Sequence, residues 1–469
     1  MCPMPSVGLM VMNGAVDLPL GLPDLSFSAA GDALVRRTVL PSGVRILSEH
    51  VPGSRSATLG YWVAVGSRDE QGAQVARGAA GARASSFGST HFLEHLLFKG
   101  TSKRTALDIA IAFDAVGGEH NAITAKEYTC YYAKVQDVHL PMAVEVIADM
   151  LTSSLLDPVE FENEREVILE ELSMAEDDPA DAASERMFSA VLGAHPLGRP
   201  IGGSPDTIRA ATRDAVVEHY QSNYRPRDLV ITAAGSVDHD ALVADVERSL
   251  RDAGWSLDSA ASPAARRSSV PAVIERADAI VTVQRPIEQA NILLGMPGLI
   301  ATDDRRVTMG VLNSILGGGM SSRLFQEVRE KRGLAYAVYS FSAGFSDAGV
   351  FGLYAGCAPA KAEQVASLML AELHRLADRG VTNDEMARAV GQLSGSAALA
   401  LEDSDTRMSR LGRSEITLGE FVDLDESLRR LDMVTAHDVQ RLAADLASRP
   451  VSVAAVGSVD DDVFASIAS

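Results

Sequence analysis

Two histidines and a glutamate near position 91 have the types and spacing of a metal site. His91, Glu94 and His95 form the pattern H-x-x-E-H within residues 89–98. If this stretch is a helix, both imidazoles leave one face and can reach a single ion. A catalytic zinc requires such nitrogen ligands and a nearby carboxylate, so Glu94 is the candidate general base. The alternative is a buried helix with two structural histidines, and a third ligand would decide between the two interpretations.

The acidic stretch 157–178 supplies candidates for that third ligand. Its periodicity predicts a helix in which Val167 and Ile168 mark the apolar face, with Glu164 and Glu171 on the same side. A carboxylate on a core-facing stripe is costly unless a positive charge compensates it, and a zinc ion would do so. We therefore expect Glu171 to be the third ligand and Glu164, one helical layer away, to support it. The alternative for Glu164 is an ordinary buried ion pair.

These motifs resemble those of the pitrilysin/insulysin-type zinc peptidases, the inverzincins. The similarity is strongest to the β-subunit of mitochondrial processing peptidase and its bacterial relatives, and it runs from about Val39 to the C-terminus. The blocks that carry it are 91–99, 117–134, 164–172 and 317–339. The resemblance implies two αβ-roll domains that face each other, one Zn²⁺ per chain and hydrolysis of peptide bonds.

The resemblance also implies where a substrate docks. Asn121 and Ala122 lie in the stretch that would form a sheet edge, where an extended peptide is recognised through backbone hydrogen bonds. The alternative is a plain hairpin edge without a binding role. His120 lies beside them, and we exclude it as a ligand because the three-ligand set is already complete.

Two further site residues are implied in the second half of the chain. The sequence predicts a helix over residues 321–332, capped by Gly333, and a strand over 334–340. By resemblance, Arg329 and Tyr336 reach the active site of the other half, bind the substrate carbonyl and stabilise the oxyanion. From the residues alone, Arg329 fits equally well on a solvated charged face.

The amino-acid composition limits the classes of binding partner that we expect. The 469 residues carry a formal net charge of −21, which argues against nucleic acid and anionic membranes and favours a basic peptide substrate. Three cysteines, Cys2, Cys130 and Cys357, fit a reduced compartment. No Lys or Arg precedes Arg36 and no apolar run is long enough to span a bilayer, so we expect a cytoplasmic protein.

The chain divides into two related halves. We predict an N-terminal extension over 1–33, a catalytic domain over 34–255, a linker over 256–272 and a second domain over 273–469. Alternating apolar strands and amphipathic helices without Rossmann-like spacing indicate an α+β fold, with a mixed or antiparallel sheet and helices on one face.

An internal repeat supports this division. Residues 229–238 and 451–460 both read as a buried strand followed by Gly-Ser-Val-Asp, at an offset of 457 − 235 = 222 residues. The offset places Asn313, Leu316 and Gly317 opposite the zinc motif and Leu393 opposite Glu171. The second half therefore has no histidine pair with which to bind zinc.

The predicted function is that of a zinc-dependent endopeptidase acting on extended peptides, similar to a processing peptidase. In processing peptidases a glycine-rich segment such as 317–320 belongs to the substrate-recognising subunit. This chain carries both that segment and the zinc motif, which suggests a homodimer. One alternative is a catalytically silent scaffold subunit of a larger complex, and another is a zinc hydrolase of small amides. The stretch 69–90 is longer than the resemblance implies. We expect it either to act as a gate or to alter access to the metal ligands.

Overall fold

The computed structural model describes residues 14–72 and 85–467. Its strands in these residues are β1 (Val16–Asp17), β2 (Asp24–Ala29), β3 (Ala33–Val39), β4 (Arg45–His50), β5 (Ser56–Val63), β6 (Glu119–Thr124), β7 (Thr129–Gln136), β8 (Leu229–Gly235), β9 (Ile280–Gln284), β10 (Ala290–Pro297), β11 (Ala335–Gly344), β12 (Gly349–Cys357), β13 (Glu420–Phe421) and β14 (Ser452–Gly457).

The same residues contain fourteen α-helices. They are α1 (Ser89–Leu97), α2 (Ala106–Asp114), α3 (Leu140–Ser153), α4 (Pro158–Asp177), α5 (Pro179–Leu192), α6 (Pro205–Ala210), α7 (Arg213–Asn223), α8 (His239–Asp252), α9 (Arg306–Gly317), α10 (Ala362–Arg379), α11 (Asn383–Ala400), α12 (Ser404–Arg413), α13 (Leu424–Asp432) and α14 (Ala436–Ala447). Phe325–Glu330 and Ser414–Leu418 are π-helical. None of the described helices is both long and apolar enough to cross a membrane.

The first compact unit is built on a seven-stranded sheet in the order β2-β3-β4-β8-β5-β7-β6. Because side chains alternate along a strand, neighbouring residues of β5 serve opposite faces. Tyr61 donates a hydrogen bond from its hydroxyl to the Val144 carbonyl of α3, at 3.2 Å. Trp62 packs instead with Met408 and Leu411 of α12. Helices therefore cover both faces of this sheet.

The second unit repeats this plan on a five-stranded sheet in the order β11-β12-β10-β14-β9. Ile292 and Leu294 of β10 belong to the core that includes α9, α10 and α14, whereas Leu293 packs with Met187 and Val191 of α5. Matching β4, β8, β5, β7 and β6 with β9, β14, β10, β12 and β11 gives the same order and the same parallel pair. The shared topology agrees with the internal repeat in the sequence.

The two units are not contiguous in sequence. One comprises Met1–Ile168, Ile201–Arg266 and Ala398–Ser427, and the other comprises Leu169–Pro200, Arg267–Ala397 and Leu428–Ser469. Helix α5 therefore completes the second sheet although it belongs to the first half of the sequence, and α12 completes the first sheet although it belongs to the second half. The predicted boundaries at 34–255 and 273–469 miss this exchange, because an amphipathic helix fits either sheet equally well.

The N-terminal segment is part of the first unit from residue 16 onward. Strand β1 pairs with β13 and β2 pairs with β3, and the side chains of Leu18 and Phe27 are buried. The prediction of an extension outside the fold over 1–33 is therefore wrong for residues 16–33. Pro19 and Pro23 are typical of an irregular segment, but β2, which follows them directly, is an edge strand of the seven-stranded sheet. Residues 1–13 lie outside the described part of the chain.

The α+β class and the two-domain organisation are confirmed, with differences in detail. Residues 205–223 form two helices, α6 and α7, with a break between them. The break occurs because the Thr212 hydroxyl caps α7 by accepting a hydrogen bond from the Ala215 amide, at 3.3 Å. Helices on one face alone were expected, but α12 and α5 cover the second face of each sheet.

A buried charge cluster joins distant segments of the first unit. Glu415 accepts from Arg37 at 3.2 Å and lies 3.4 Å from Arg45 and 3.3 Å from Arg266, and its side chain is fully buried. Arg266, in the predicted linker, also donates to the Leu18 carbonyl, at 2.7 Å. Burial lowers the pKa of Arg45, with Arg266 and Arg37 acting in the same direction. One carboxylate thus holds the N-terminal segment, the sheet and the linker together.

Candidate metal centre and active site

Helix α1 is fixed at its N-terminus by a carboxylate that sequence reasoning missed. It begins after Gly88, whose φ of 85° is left-handed and therefore favours glycine. Glu70 is buried and accepts hydrogen bonds from the Gly88 amide at 2.8 Å and the Thr90 amide at 2.9 Å. A negative charge at this helix end is favourable because it meets unpaired amide groups and the positive end of the helix dipole. Glu70 lies about twenty residues upstream, so no local capping pattern reveals it.

Helix α1 directs His91 and His95 towards each other. Their Nε2 atoms are 3.3 Å apart, and the two rings are nearly perpendicular. Two nitrogen ligands placed 2.0–2.1 Å from a tetrahedral zinc are separated by about 3.3 Å. The spacing of the two nitrogens therefore fits one zinc ion between them.

Glu164 fixes the orientation of His95. Its Oε2 lies 3.0 Å from His95 Nδ1, and its Oε1 accepts from Lys99 Nζ at 2.7 Å. A carboxylate can only accept, so this contact favours the His95 tautomer with its proton on Nδ1, in which Nε2 can bind a metal ion. The predicted supporting role of Glu164 matches this contact, and Lys99 adds a partner that the sequence did not reveal. The ordinary ion pair proposed as the alternative is also present, through Lys99.

Glu171 lies on the same helix as Glu164, two turns further along. One ligand atom from each of His91, His95 and Glu171 lies within 4.8 Å of the other two, and this is the one such group among the described residues. The structure thus brings the three predicted ligands together. Both carboxylates belong to one continuous helix, α4, which runs over Pro158–Asp177.

The apolar face predicted for α4 is partly wrong. The residues of α4 that are buried are Phe161, Glu164 and Ile168. Val167 is 42% exposed and Glu171 is also exposed, so neither faces the core. The periodicity identifies the correct side of the helix for Glu164, but the buried face lies around Glu164 and Ile168, and Val167 and Glu171 lie to one side of it.

Glu94 is separate from the three-ligand group. It is half-buried, and its Oε2 accepts a short hydrogen bond from the Thr124 hydroxyl. Thr124 is the last residue of β6, so the candidate base touches the strand predicted to receive the substrate. The two residues lie thirty positions apart, so local spacing in the sequence does not reveal this contact.

Strand β6 is an edge of the seven-stranded sheet among the described strands. Ala122 is buried and Asn121 is exposed, and the Asn121 side-chain carbonyl accepts from the Ala122 amide at 2.8 Å. His120 stacks on the Phe113 ring at 4.3 Å, and burial lowers its pKa. It belongs to no metal group among the described residues. The docking role of Asn121 and Ala122 stays a prediction.

Arg329 and Tyr336 form a pair within the second unit. Arg329 Nη1 donates to the Tyr336 carbonyl at 2.9 Å, and the guanidinium lies over the Tyr336 ring at 4.4 Å and the Phe325 ring at 4.6 Å. The Tyr336 side chain is 75% exposed. Arg329 lies in the π-helical turn, a rare geometry that is frequent at functional sites. The predicted role of this pair at the zinc motif remains a prediction.

The position equivalent to the zinc motif in the second unit is closed. A Cβ on Gly317 would meet the Ser340 amide nitrogen at 2.2 Å, so α9 lies directly against β11. Asn313 accepts from the Ser340 hydroxyl at 2.7 Å, and Leu393 packs against the core. The residues opposite the ligands are therefore used for packing.

The long stretch before α1 is described only at its two ends. Gln71 and Ser86 bond to each other, through the Ser86 amide to the Gln71 carbonyl at 2.9 Å and the Gln71 amide to the Ser86 hydroxyl at 2.8 Å. The two described ends of this stretch therefore lie next to each other. The predicted gate at 69–90 falls largely on residues 73–84, which lie outside the described part of the chain.

Fold and donor set together define a candidate metallopeptidase with the inverted zinc motif, and comparison with known proteins gives the family. Residues 45–204 match the family profile described as "Insulinase (Peptidase family M16)", and residues 210–393 match "Peptidase M16 inactive domain". The chain belongs to the M16 peptidase family.

Relatives and solved structures agree with this assignment. An uncharacterized zinc protease from Streptomyces coelicolor is 49% identical over 92% of this chain and 91% of its own length. The uncharacterized zinc protease YmxG from Bacillus subtilis is 37% identical over 90% and 98%. A protease from Helicobacter pylori has the same fold, with a TM-score of 0.75 at 21% identity over 90% of this chain and 99% of that chain. The names of the relatives support a zinc peptidase.

Proposed function

We propose that this protein is a zinc-dependent endopeptidase that cleaves extended or unfolded polypeptide segments. The observation that carries the proposal is the 3.3 Å separation of the two histidine nitrogens, with Glu171 close to both. Two imidazoles and one carboxylate are a catalytic donor set, because they leave one position of a tetrahedral zinc for water.

When bound, zinc supplies Lewis-acid polarisation of a water molecule and of the scissile carbonyl. Glu94 accepts a proton from the attacking water and later delivers that proton to the amine of the leaving peptide. Glu164 holds the His95 ring through its Nδ1 proton, so that Nε2 stays available as a ligand. The charge-assisted contact between Lys99 and Glu164 keeps the second oxygen of that carboxylate occupied.

Edge strand β6 supports a peptide substrate over a small amide. An extended peptide added beside it would be recognised through its backbone, without a required sequence. The roles proposed for Asn121 and Ala122 are in this docking step, and those for Arg329 and Tyr336 are in binding the carbonyl and stabilising the oxyanion. We further propose that the protein is a cytoplasmic homodimer with one zinc ion per chain. Because its net charge is −21, we also propose that it prefers basic peptides as substrates.

The test is metal analysis combined with hydrolysis of a peptide library, with and without a chelator. We expect Glu94→Gln to keep its zinc and to lose about 100- to 10,000-fold in turnover, because it cannot accept the proton. Glu166→Gln, a change at an exposed position of α4, is the matched control and should behave as wild type.

Wild-type cleavage by zinc-loaded Glu94→Gln would remove Glu94 from the role of base. Absence of cleavage by the zinc-loaded wild-type protein would favour the silent scaffold instead. Faster hydrolysis of small amides than of unfolded peptides would contradict the proposed substrate class.

A further inference from the structure

We propose that Thr124 is a positioning residue for the candidate base. The Thr124 hydroxyl donates to Glu94 Oε2, and this is the one hydrogen bond of the Glu94 carboxylate within the described residues. The inference rests on the proposed peptidase function, because it assigns Thr124 a role in orienting the group that moves the proton.

The position of Thr124 follows from the alternation of side chains along β6. Glu119, Asn121 and Ile123 are exposed, whereas His120, Ala122 and Thr124 are at least partly buried. The Thr124 side chain therefore lies on the more buried face of the sheet, where it contacts Glu94 of α1. A residue one position earlier or later could not reach Glu94, because its side chain would leave the other face.

The backbone around Thr124 is fixed on both sides. Thr124 pairs with Thr129 across the β6–β7 hairpin, and the Thr129 hydroxyl donates to the Val65 carbonyl at 2.9 Å. The turn that follows is held because its Ala125 carbonyl accepts from the Ser67 amide at 3.2 Å. The hydroxyl is thus presented to Glu94 from a well-anchored hairpin.

This arrangement leaves one oxygen of Glu94 for chemistry. A threonine hydroxyl has a single proton, and giving it to Oε2 leaves Oε1 to accept a proton from water. A carboxylate held at one oxygen also has fewer orientations to lose before proton transfer. Because Thr124 lies on the strand proposed to bind the substrate, docking and base orientation depend on the same hairpin.

The experiment compares zinc-loaded wild type with Thr124→Val and Thr124→Ser. Valine has the shape of threonine without the hydroxyl, and a hydrogen bond to a charged group is strong enough that kcat should fall about 10- to 100-fold. KM and zinc content should be unchanged, and serine should restore most of kcat. A residue that only shaped the strand would raise KM, and serine and valine would then behave alike.

A second readout does not depend on turnover. Crystal structures of the zinc-loaded wild type and Thr124→Val should show Glu94 bonded to Thr124 in the first and its carboxylate reoriented in the second. A wild-type structure in which Glu94 turns away from Thr124, or wild-type kcat in the valine variant, would overturn the inference. If the wild type cleaves no peptide, the proposed function fails, and the two structures still decide whether Thr124 orients Glu94.

Discussion

Removal of the Glu164 carboxylate should weaken zinc binding without unfolding the protein. Glu164 is 3% exposed and contacts His95 Nδ1 at 3.0 Å and Lys99 Nζ at 2.7 Å. Glu164→Ala removes the acceptor that fixes the His95 ring, and loss of such a supporting contact typically reduces metal affinity about 10- to 100-fold. This corresponds to about 1.4–2.8 kcal/mol of zinc binding free energy. The Lys99 side chain is 33% exposed, so its ammonium can turn to water.

The assay is competition for zinc between the protein and a chromophoric chelator at neutral pH, with circular dichroism to verify folding. Glu164→Gln retains an acceptor for the His95 proton but loses the charge, so its affinity should fall between wild type and Glu164→Ala. Glu166→Ala, at an exposed position of the same helix, is the control for helix propensity and net charge. Zinc affinity of Glu164→Ala equal to that of Glu166→Ala would refute the reasoning.

Two further predictions concern stability. Glu415→Gln should cost about 3–5 kcal/mol in urea unfolding, because it leaves three largely buried guanidinium groups without their carboxylate. Glu162→Gln breaks an exposed pair and should cost under about 1 kcal/mol, so equal losses would contradict this account. Burial lowers the pKa of His239 to about 4, with Arg36 acting in the same direction. The unfolded state therefore binds a proton first, and up to about 3 kcal/mol of stability should be lost as pH falls from about 6.5 to about 4. His239→Gln should reduce the pH dependence of the free energy of unfolding over that range. An unchanged pH dependence would exclude this histidine as the cause.

Parts of the site that depend on local spacing could be predicted from the sequence. The i, i+4 relation of His91 and His95 needs only a helix, and the structure provides one. A periodic pattern predicts Glu171 as a ligand, but the exposure of Val167 shows that this pattern does not fix the buried face of the helix to within one residue. A hydrophobic stripe is broad, so a rotation of the helix by one position satisfies it almost equally well.

Contacts between distant segments were not predictable in the same way. Glu70 reaches the start of α1 from about twenty residues upstream, and Thr124 reaches Glu94 from another element. Glutamates and threonines are both common residues, so neither residue type reveals these partners in the sequence. The N-terminal strands were missed for a related reason, since prolines at positions 19 and 23 dominate a segment whose order comes from pairing with β3.

The exchange of α5 and α12 has a consequence for how the polypeptide can be divided. Cleavage at 256–272 would give two fragments, each carrying a helix that belongs on the other fragment's sheet. Either fragment alone would expose an apolar sheet face to water, so neither is a self-sufficient folding unit.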